Sequence, residues 1–353
     1  MRAESERFLK MLVEAPSPSG YEQPAASVFR EYVSGFADEV ATDVLGTVRA
    51  LVKGSGEGPT LMLAGHVDEV GFMVTYVTDE GFLSFKTIGG IDAHLMPGSR
   101  VLVHTKEGPL PGVMGRQPIH LLEKKEREKV AEVHKLFIDL GLPVEAVRER
   151  VRVGDPVTFA VGFEEFGDGL AVSRAFDDKV GAWVAAEAAR MVKDRGGASG
   201  DVWAVATVQE EIGGTGASAA AYSLDPEVGI VIEVGHATDY PDMNKRRYGD
   251  YKLGAGPIIT RGANINPTLF EMLIETAEAE GIPYQLDGCP GRTPTDADSI
   301  QVARSGRATA LVSVPLRYMH TPTEVISLED LENTAALIAA LAMRLEPGRD
   351  FTP

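Results

Sequence analysis

Cysteine is almost absent from the chain, since Cys289 is the single one among 353 residues. An internal disulfide is therefore excluded, which is typical of proteins from a reducing compartment. No apolar run approaches the roughly 18 residues that a membrane-spanning helix needs, and the charged N-terminal segment lacks the apolar core of a signal peptide. We therefore expect a soluble, cytoplasmic protein.

Positive charge is also scarce, with 34 lysines and arginines against 52 aspartates and glutamates, a formal net charge of −18. Such a chain repels nucleic-acid phosphates and anionic lipids, so we expect neither nucleic acid nor a membrane as a partner. The GGTG run at 213–216 lacks the Lys-Ser/Thr pair of a P-loop, which excludes that class of nucleotide enzyme. With 44% hydrophobic and 24% charged residues, the composition is that of a globular protein.

Apolar runs of strand length alternate with helical patterns in both outer parts of the sequence, which predicts an α/β fold with helices on both faces of a parallel or mixed sheet. The predicted strands are 47–52, 60–65, 202–208, 228–232 and 308–314. The predicted helices are 5–14, 22–36, 180–192, 267–280, 295–304 and a last one that Ser327 caps and that ends near residue 345.

The middle of the chain differs, because short β-like runs broken by glycine and proline dominate it. We predict a small β-rich domain over 70–166, inserted into a discontinuous α/β domain made of 1–69 and 167–353. Within the insert, segment 121–135 (LLEKKEREKVAEVHK) is dense in charge and poor in apolar residues. This composition predicts a mobile or solvated loop, with a short exposed helix as the alternative.

His66 and Asp68, in AGHVDEVG, come directly after a predicted strand. Alternate residues of an extended chain share a face, so Asp68 can accept the second N–H of His66 and raise its basicity as a metal ligand. The structural alternative is a buried histidine satisfied by a neighbouring carboxylate.

Two acidic pairs stand out, Asp177 and Asp178 in RAFDDKVGAW and Glu210 and Glu211 in VQEEIGGTGA. The first pair opens a predicted helix, where N-capping is the structural alternative. The second follows a buried strand, where adjacent carboxylates lose hydration and repel each other. They require nearby cations or a raised pKa, which favours a functional role.

Glu233 follows the predicted strand 228–232, and His320 and Glu324 follow strand 308–314. The edge beyond the carboxyl ends of strands is where open α/β sheets build their sites. A helix cap for Glu233 and loop packing for His320 are the alternatives. The role of His236 is undecided. No site role is expected for the histidines of the insert, namely His94, His104, His120 and His134.

Together these places supply two imidazoles and three carboxylates, a donor set that can hold two divalent ions. Its members are His66, one aspartate of the 177–178 pair, Glu211, Glu233 and His320. Glu210, next to a ligand without being one, is free to act as a general base toward a bridging water. Mixed nitrogen and oxygen ligands suit Zn, Co or Mn better than Mg or Ca. The residues predict a two-metal hydrolase without naming the bond it cleaves.

The motifs also resemble one family, the tetrahedral-assembly (TET) metallo-aminopeptidases, which include glutamyl aminopeptidase-like and cellulase-M-like proteins. The matching runs are GHVDEVGFMV, KLFIDLG, GDPVTF, FDDKVG, VQEEIGGTGA, LGAGPII, IPYQ and PLRYMHTPTEV. The resemblance implies a zinc-peptidase-like mixed sheet flanked by helices, with an inserted PDZ-like β-barrel that helps dimers assemble into a homo-oligomeric dodecamer. It implies an aminopeptidase for short peptides with a free N-terminus, using two divalent metal ions per subunit, Zn or Co.

The resemblance also implies a role for each residue. His66, Asp177, Glu211, Glu233 and His320 look like the metal ligands, with Asp177 bridging the two ions. Glu210 looks like the general base, and Asp68 looks like the residue that orients His66.

Three positions depart from the family pattern. Glu233 stands where aspartate is usual, and its extra methylene can alter the geometry and the metal preference. Lys179 replaces a common arginine, which we interpret as a change at the helix surface or the assembly interface. The segment TPTDADS keeps Thr295 and Asp296 but not the family's glycines. That segment lies near the substrate pocket in the family, so side-chain preference is not carried over.

Three other functions stay open at this point. A deacylase or amidohydrolase on the same dinuclear frame would prefer N-blocked substrates. A glycosidase would use two carboxylates and would be insensitive to chelators. A non-catalytic metal-binding scaffold would cleave nothing, with Glu233 as the mark of a drifted site.

Overall fold

The structure is a computed structural model that describes residues 1–353, apart from the side chain of Glu126. The α-helices are α1 (Ala3–Glu14), α2 (Gln23–Val33), α3 (Lys124–Arg127), α4 (Val144–Arg150), α5 (Phe176–Asp194), α6 (Thr215–Leu224), α7 (Lys245–Tyr248), α8 (Pro267–Glu280), α9 (Asp296–Gln301) and α10 (Leu328–Arg344). Short 3-10 helices cover Ala93–Leu95, Ile119–Leu121 and Val133–Lys135.

The strands fall into two groups, a large sheet and a barrel. The strands are β1 (Glu39–Thr42), β2 (Val48–Val52), β3 (Leu61–His66), β4 (Gly71–Val77), β5 (Leu83–Ile88), β6 (Arg100–Thr105), β7 (Gly108–Gly115), β8 (Phe137–Asp139), β9 (Pro156–Phe159), β10 (Glu164–Phe166), β11 (Leu170–Ser173), β12 (Val202–Thr207), β13 (Val228–His236), β14 (Ile258–Gly262), β15 (Gln285–Cys289), β16 (Ala308–Arg317) and β17 (Glu324–Ser327).

Within the described residues, eleven strands form one mixed sheet, ordered β1-β2-β12-β3-β13-β16-β17-β11-β10, with β14 and β15 attached beside β16. The central strands β12, β3, β13 and β16 run parallel to one another. Every residue of β3 is buried, as expected for an apolar strand covered on both faces. The predicted α/β fold with a mixed sheet flanked by helices is confirmed.

Alternate residues of β3 enter two separate cores. Leu61 and Leu63 pack with residues of α1, α5 and α10 on one face of the sheet. Met62 and Ala64 pack with residues of α6 and α9 on the other face. Because strand side chains alternate between faces, His66 follows Met62 and Ala64 toward the α6 and α9 side. The packing of β3 between these two cores therefore fixes the face of the sheet on which the side chain of His66 lies.

The predicted β-barrel is also confirmed. In the part of the chain that the structure describes, β4-β5-β8-β7-β6-β9 close into an antiparallel barrel with its own core. The ring of Phe72 lies at its centre, with centroid distances of 5.4 Å to Phe85 and 5.2 Å to Phe159. The barrel strands run from residue 71 to 159, whereas β10 pairs with β11 in the large sheet. The division of the chain into 70–166 and the two flanking parts stays a prediction.

Several predicted elements differ from the structure in their bounds. Helix α8 covers 267–280 as predicted, and Ser327 caps α10 by accepting a hydrogen bond from the backbone N–H of Asp330. Strand β13, however, continues past residue 232 because its pairing with β16 extends to His236. The prediction that Glu233 follows the strand is therefore wrong, since Glu233 lies within it.

Segment 121–135, predicted as a solvated loop, is mostly exposed and contains α3 and a 3-10 turn. The alternative of a short exposed helix therefore describes part of it. The side chain of Glu126, which this prediction includes, lies outside the described part of the chain. No helix among the described residues is both long enough and apolar enough to cross a lipid bilayer.

Candidate active site

The predicted site residues converge at the edge of the sheet where the parallel strands end. Strand β3 ends at His66, β12 leads into the Glu210–Glu211 turn, and β16 leads into the loop of His320. This is the edge where open α/β sheets carry their sites. The structure brings together all seven predicted residues there, namely His66, Asp68, Asp177, Glu210, Glu211, Glu233 and His320.

The carboxylate of Asp177 lies between the two imidazoles. Its Oδ1 is 3.3 Å from Nε2 of His66, and its Oδ2 is 3.2 Å from Nε2 of His320. A second carboxylate flanks each imidazole, with Glu233 Oε1 3.7 Å from Nε2 of His66 and Glu211 Oε1 3.2 Å from Nε2 of His320. The site thus has two adjoining lobes that share Asp177. One lobe contains His66 and Glu233, and the other contains His320 and Glu211.

Both imidazoles are oriented by backbone carbonyls on their far side. Nδ1 of His66 is 3.0 Å from the carbonyl oxygen of Asp68, and Nδ1 of His320 is 2.7 Å from that of Gly90 in the barrel domain. A carbonyl only accepts hydrogen bonds, so each Nδ1 carries a proton. A neutral imidazole then turns the lone pair of Nε2 toward the carboxylates, an arrangement that a cation between them would stabilise. The Asp68 carboxylate, which the sequence predicted as the partner, is slightly farther, with Oδ1 3.4 Å from Nδ1.

The pKa values of His320 and Glu233 reflect the number of carboxylates that lie close together in this site. Burial lowers the pKa of His320, but the carboxylates of Asp177 and Glu211 outweigh it and raise the value to about 11. Burial and the neighbouring Asp178 raise the pKa of Glu233 well above its ordinary value. The protein residues alone leave this cluster short of positive charge.

The donor chemistry fits divalent cations. Oε1 of Glu211 is buried and lies 3.2 Å from Nε2 of His320, which in the neutral imidazole with a proton on Nδ1 has no hydrogen to donate to it. Two sets of three side chains offer donor atoms within 4.8 Å of one another, namely His66, Asp177 and Glu211, and His66, Asp178 and Glu233. Buried carboxylates and imidazoles with converging lone pairs are typical of metal sites in proteins.

The two aspartates at the start of α5 have different partners. Asp178 accepts hydrogen bonds from the backbone N–H groups of His66, at 3.2 Å, and Gly181, at 3.1 Å. The second bond is that of an N-capping residue, so the capping alternative describes Asp178. Asp177 instead directs both oxygens toward the imidazoles, and the peptide bond between the two aspartates is cis.

Glycine at position 65 allows α5 to approach the end of β3. A Cβ atom on Gly65 would lie 2.2 Å from the backbone nitrogen of Ala182, closer than any real contact. The helix start that carries Asp177 can reach His66 only because β3 has no side chain at this point.

Glu210 sits beside the two lobes, with Oε2 3.9 Å from Nε2 of His66. Burial, together with the carboxylates of Asp296 and Asp68, raises the pKa of Glu210 to about 7, although His66 acts in the opposite direction. Its turn is held by backbone hydrogen bonds from Glu210 and Glu211 to the carboxylate of Asp68, each 3.1 Å long.

Sequence reasoning missed two residues of the N-terminal segment that support this turn. The hydroxyl of Ser19 donates to Oδ2 of Asp68 at 2.7 Å. The buried carboxylate of Glu22 accepts from the backbone N–H groups of Gly20, at 2.6 Å, and Gln209, at 3.2 Å. Burial raises the pKa of Glu22 to about 7. Nothing in the local sequence of this segment signals these contacts.

Glu324, which follows the predicted strand 308–314, lies next to the site and contacts its backbone. Its Oε2 accepts the backbone N–H of Asp177 at 3.1 Å, and its Oε1 accepts that of His320 at 2.9 Å. The side chain is almost fully buried. Glu324 therefore fixes the backbone of two site residues that are 143 positions apart in the chain.

Lys179 is not at the helix surface, so that interpretation is wrong. Its side chain is completely buried and donates to the carbonyl of Ala15 at 2.6 Å and to Oε1 of Glu69 at 3.0 Å. Arg174 forms a second ion pair with the same carboxylate. Lys179 is buried because α5 is packed between the sheet, α1 and α10.

A cavity of 450 Å³ opens beside the cluster and includes His66, Glu210 and His320 in its wall. The segment 293–295 lines it, and the following Asp296 accepts a hydrogen bond from the hydroxyl of Thr207 at 2.6 Å. His236 is exposed and also borders this cavity. Among the described residues, neither set of potential metal ligands includes a histidine of the insert, that is His94, His104, His120 or His134.

Known proteins match this chain over nearly its whole length. The family described as M42 glutamyl aminopeptidase matches residues 46–337. The lysyl aminopeptidase of Pyrococcus furiosus is 36% identical over 350 residues, which cover 98% of this chain and 99% of the relative. The solved TET aminopeptidase of the marine sediment archaeon Thaumarchaeota archaeon SCGC AB-539-E09 superposes with a TM-score of 0.93 at 37% identity, covering 98% of both chains.

A further solved relative is the TET1 peptidase of Pyrococcus horikoshii, which can assemble into a tetrahedron or a large octahedral shell. Its TM-score is 0.85 at 32% identity, and the match covers 97% of this chain and 100% of that one. These findings confirm the family resemblance drawn from the sequence motifs.

Proposed function

Since the chain belongs to the M42 glutamyl aminopeptidase family, we propose that it is a metal-dependent aminopeptidase that removes N-terminal residues from short peptides. The observation that carries the proposal is the position of Asp177. Its carboxylate spans Nε2 of His66 and Nε2 of His320 in the wall of a peptide-sized cavity.

Two divalent ions per subunit, Zn or Co, fit the two lobes of the cluster. His66 and Glu233 would hold one ion, His320 and Glu211 the other, and Asp177 would bridge them. Glu233 in place of an aspartate keeps the donor type, and its Oε1 still reaches to 3.7 Å from Nε2 of His66. When bound, the ions supply Lewis acidity toward the scissile carbonyl and lower the pKa of water.

Glu210 is the proposed general base. It adjoins the cluster, and its backbone is fixed by Asp68, so its carboxylate can accept a proton from the attacking water and return it to the leaving amine. Burial raises its pKa, and bound cations would lower it again, which keeps the group ionised at neutral pH.

The free α-amine of a peptide fits the same region. The clustered carboxylates of Asp177, Asp178, Glu210, Glu211 and Glu233 outnumber the imidazoles. Two divalent ions would carry four positive charges against these five carboxylates, so a small excess of negative charge would remain to attract an α-ammonium group, whereas an acetylated N-terminus carries no charge to be attracted. This asymmetry favours exopeptidase over endopeptidase activity.

We also propose that the chain forms a homo-oligomer of dimers that assemble into a dodecamer, with the barrel domain in the contacts. The support is the TET1 peptidase of Pyrococcus horikoshii, which can assemble into a tetrahedron or a large octahedral shell and matches 97% of this chain. Size-exclusion chromatography with light scattering would distinguish a dimer from a dodecamer.

The test of the function is amino-acid release from one set of short peptides, each prepared with a free and with an acetylated N-terminus. Protein stripped of metal by a chelator should be inactive and should regain activity when Zn or Co is added back. Only the free peptides should then be cleaved, one residue at a time. Faster cleavage of acetylated substrates would instead establish a deacylase or endopeptidase, and activity that resists the chelator would contradict the metal mechanism.

A further inference from the structure

Family membership does not set which N-terminal residue the protein removes. The family description names a glutamyl aminopeptidase, and the Pyrococcus furiosus relative is named a lysyl aminopeptidase. The side chains at the far end of the cavity, away from the metal cluster, therefore have to decide the preference.

Four strands of the large sheet form the floor of the cavity. From the cluster outward they are β13, β16, β14 and β15. Glu233 pairs with Ser313, Ser313 with Ile258, and Thr260 with Asp287. Paired residues on neighbouring strands project from the same face of a sheet, so the face that carries Glu233 also carries Asp287.

Asp287 lies at the far end of this row. Neighbouring strands are about 4.8 Å apart, so three spacings place Asp287 about 14 Å across the sheet from Glu233. A substrate residue whose α-amine is at the cluster would extend its side chain along this floor. The side chains of Glu233 and Asp287 and the bound ions would take up part of this distance, so a long substrate side chain would reach Asp287 and a short one would not.

The polar partner of Asp287 leaves part of its carboxylate free. The hydroxyl of Tyr251 donates to Oδ1 of Asp287 at 2.5 Å. Oδ2 accepts no hydrogen bond from the described residues, and Asp287 is only half-buried. The carboxylate is thus held in place at one oxygen and can accept a ligand hydrogen bond at the other.

The charge of the described cavity wall is negative at this end. Among the described residues that line the cavity there is no lysine and no arginine. The remaining floor is neutral, formed by Ile258, Thr260, Leu311 and Ser313. Divalent ions would offset the carboxylates at the cluster end, but they would leave Asp287 as the acidic group of the distal end. A negatively charged substrate side chain would be repelled there, and a cationic one attracted.

We propose that the cavity binds the side chain of the N-terminal substrate residue and that Asp287 selects lysine or arginine at this position. The inference rests on the proposed aminopeptidase function and adds the substrate class to it. Asp287 is a specificity-determining residue in this account, since it forms a charge-assisted hydrogen bond with the substrate's ammonium or guanidinium group.

The kinetic test compares kcat/KM of the metal-loaded protein on para-nitroanilides of lysine, arginine, norleucine, leucine and glutamate. We expect the two basic substrates to exceed the others by about tenfold or more. Asp287→Asn should lower kcat/KM on the basic substrates about 10- to 100-fold and leave norleucine and leucine nearly unchanged.

A matched control is Glu278→Gln. Glu278 also accepts a hydrogen bond from a tyrosine hydroxyl, that of Tyr284 at 3.2 Å, but on the exposed surface away from the cavity. This control should leave the ratio of lysine to norleucine activity unaltered. A preference for leucine or glutamate, or an equal loss on all substrates in Asp287→Asn, would overturn the inference while leaving the aminopeptidase function standing.

A binding measurement separates the two proposals. Calorimetry with free L-lysine and with its near-isostere L-norleucine should show at least about tenfold tighter binding of lysine to the metal-loaded wild-type protein. This measurement does not depend on substrate cleavage, and it does not require that the Asp287→Asn variant folds. Equal affinities would overturn the basic preference, even if no substrate were cleaved and the proposed function itself had failed.

Discussion

The backbone N–H of Glu210 donates a 3.1 Å hydrogen bond to Oδ1 of Asp68, a residue 142 positions earlier in the chain. Oδ2 of the same carboxylate accepts the N–H of Glu211, and the backbone carbonyl of Asp68 contacts Nδ1 of His66. One residue therefore positions the proposed general base and two proposed ligands. The role that we propose for Asp68 is therefore broader than the orientation of a single histidine.

Replacing Asp68 by asparagine should disturb the two side-chain contacts to the backbone of Glu210 and Glu211, while the backbone carbonyl that faces His66 stays in place. The amide group has one oxygen, so its N–H would oppose one of the two backbone N–H donors. We expect Asp68→Asn to lower kcat/KM about 10- to 100-fold, as is typical for residues behind metal ligands. The control Ser19→Ala removes a donor to Asp68 but keeps both acceptor oxygens, and should cost less than about tenfold. Equal losses in steady-state kinetics would contradict this reading of Asp68.

Replacing Glu210 by glutamine should separate metal binding from turnover. The side chain keeps its size but can no longer accept a proton, so kcat should fall about 100- to 10,000-fold. Metal content, measured by elemental analysis after dialysis, should stay close to that of the wild type because Glu210 is not among the proposed ligands. Near-normal turnover in Glu210→Gln would show that Glu210 is not the general base.

Glu324 should act through metal affinity. It accepts the backbone N–H groups of Asp177 and His320, and glutamine offers only one oxygen for the two donors. We expect Glu324→Gln to weaken Zn binding about 10- to 100-fold in a chelator competition, with a smaller change in kcat at saturating Zn. Glu329→Gln, at an exposed position in the first turn of α10, is the matched control. Unchanged Zn affinity in Glu324→Gln would show that these hydrogen bonds do not position the ligands.

The buried pairing of Glu69 with Arg174 and Lys179 should contribute to stability. Removal of the negative charge in Glu69→Gln leaves two buried cations without their counter-ion, which should lower the free energy of unfolding by about 3–5 kcal/mol. The exposed pair of Asp79 and Arg148 gives the control, since Asp79→Asn should change stability far less. Similar denaturant midpoints for the two variants would contradict the prediction.

The same carboxylate gives a pH dependence. Burial favours the neutral acid, but the charges of Arg174 and Lys179 outweigh burial and lower the pKa of Glu69 from 4.5 to about 2. A depressed native pKa stabilises the fold above the unfolded pKa and loses that effect as the pH falls through the native one. The difference in thermal stability between wild type and Glu69→Gln should therefore be full above about pH 5 and shrink toward pH 2. If the difference in thermal stability grew as the pH fell through this range, the prediction would be contradicted.

Much of the site could be predicted because parallel strands bring their carboxyl ends together. His66, Glu210 and His320 each follow a buried apolar run, so a reading of strands alone places them at one edge. The choice between Asp177 and Asp178 could not be made this way, since both start the same helix. It depended on the family resemblance, and the different hydrogen bonds of the two carboxylates now support it.

Other features could not be predicted because they depend on contacts between distant segments. The carbonyl of Gly90 reaches His320 from the barrel domain, and Glu22 reaches Gln209 from the N-terminal segment. Lys179 resembled a surface residue because charged side chains on helices are usually exposed. Only the packing of α5 on all sides shows that it is buried.

The most direct test of the central claim is a metal titration of stripped protein. Zn is added in known equivalents per subunit while amino-acid release from one free peptide and its acetylated counterpart is followed. We predict no activity without metal, a rise in activity that saturates at two bound ions per subunit, and cleavage of the free peptide alone. Activity that is independent of added metal, or equal cleavage of the acetylated peptide, would contradict this prediction.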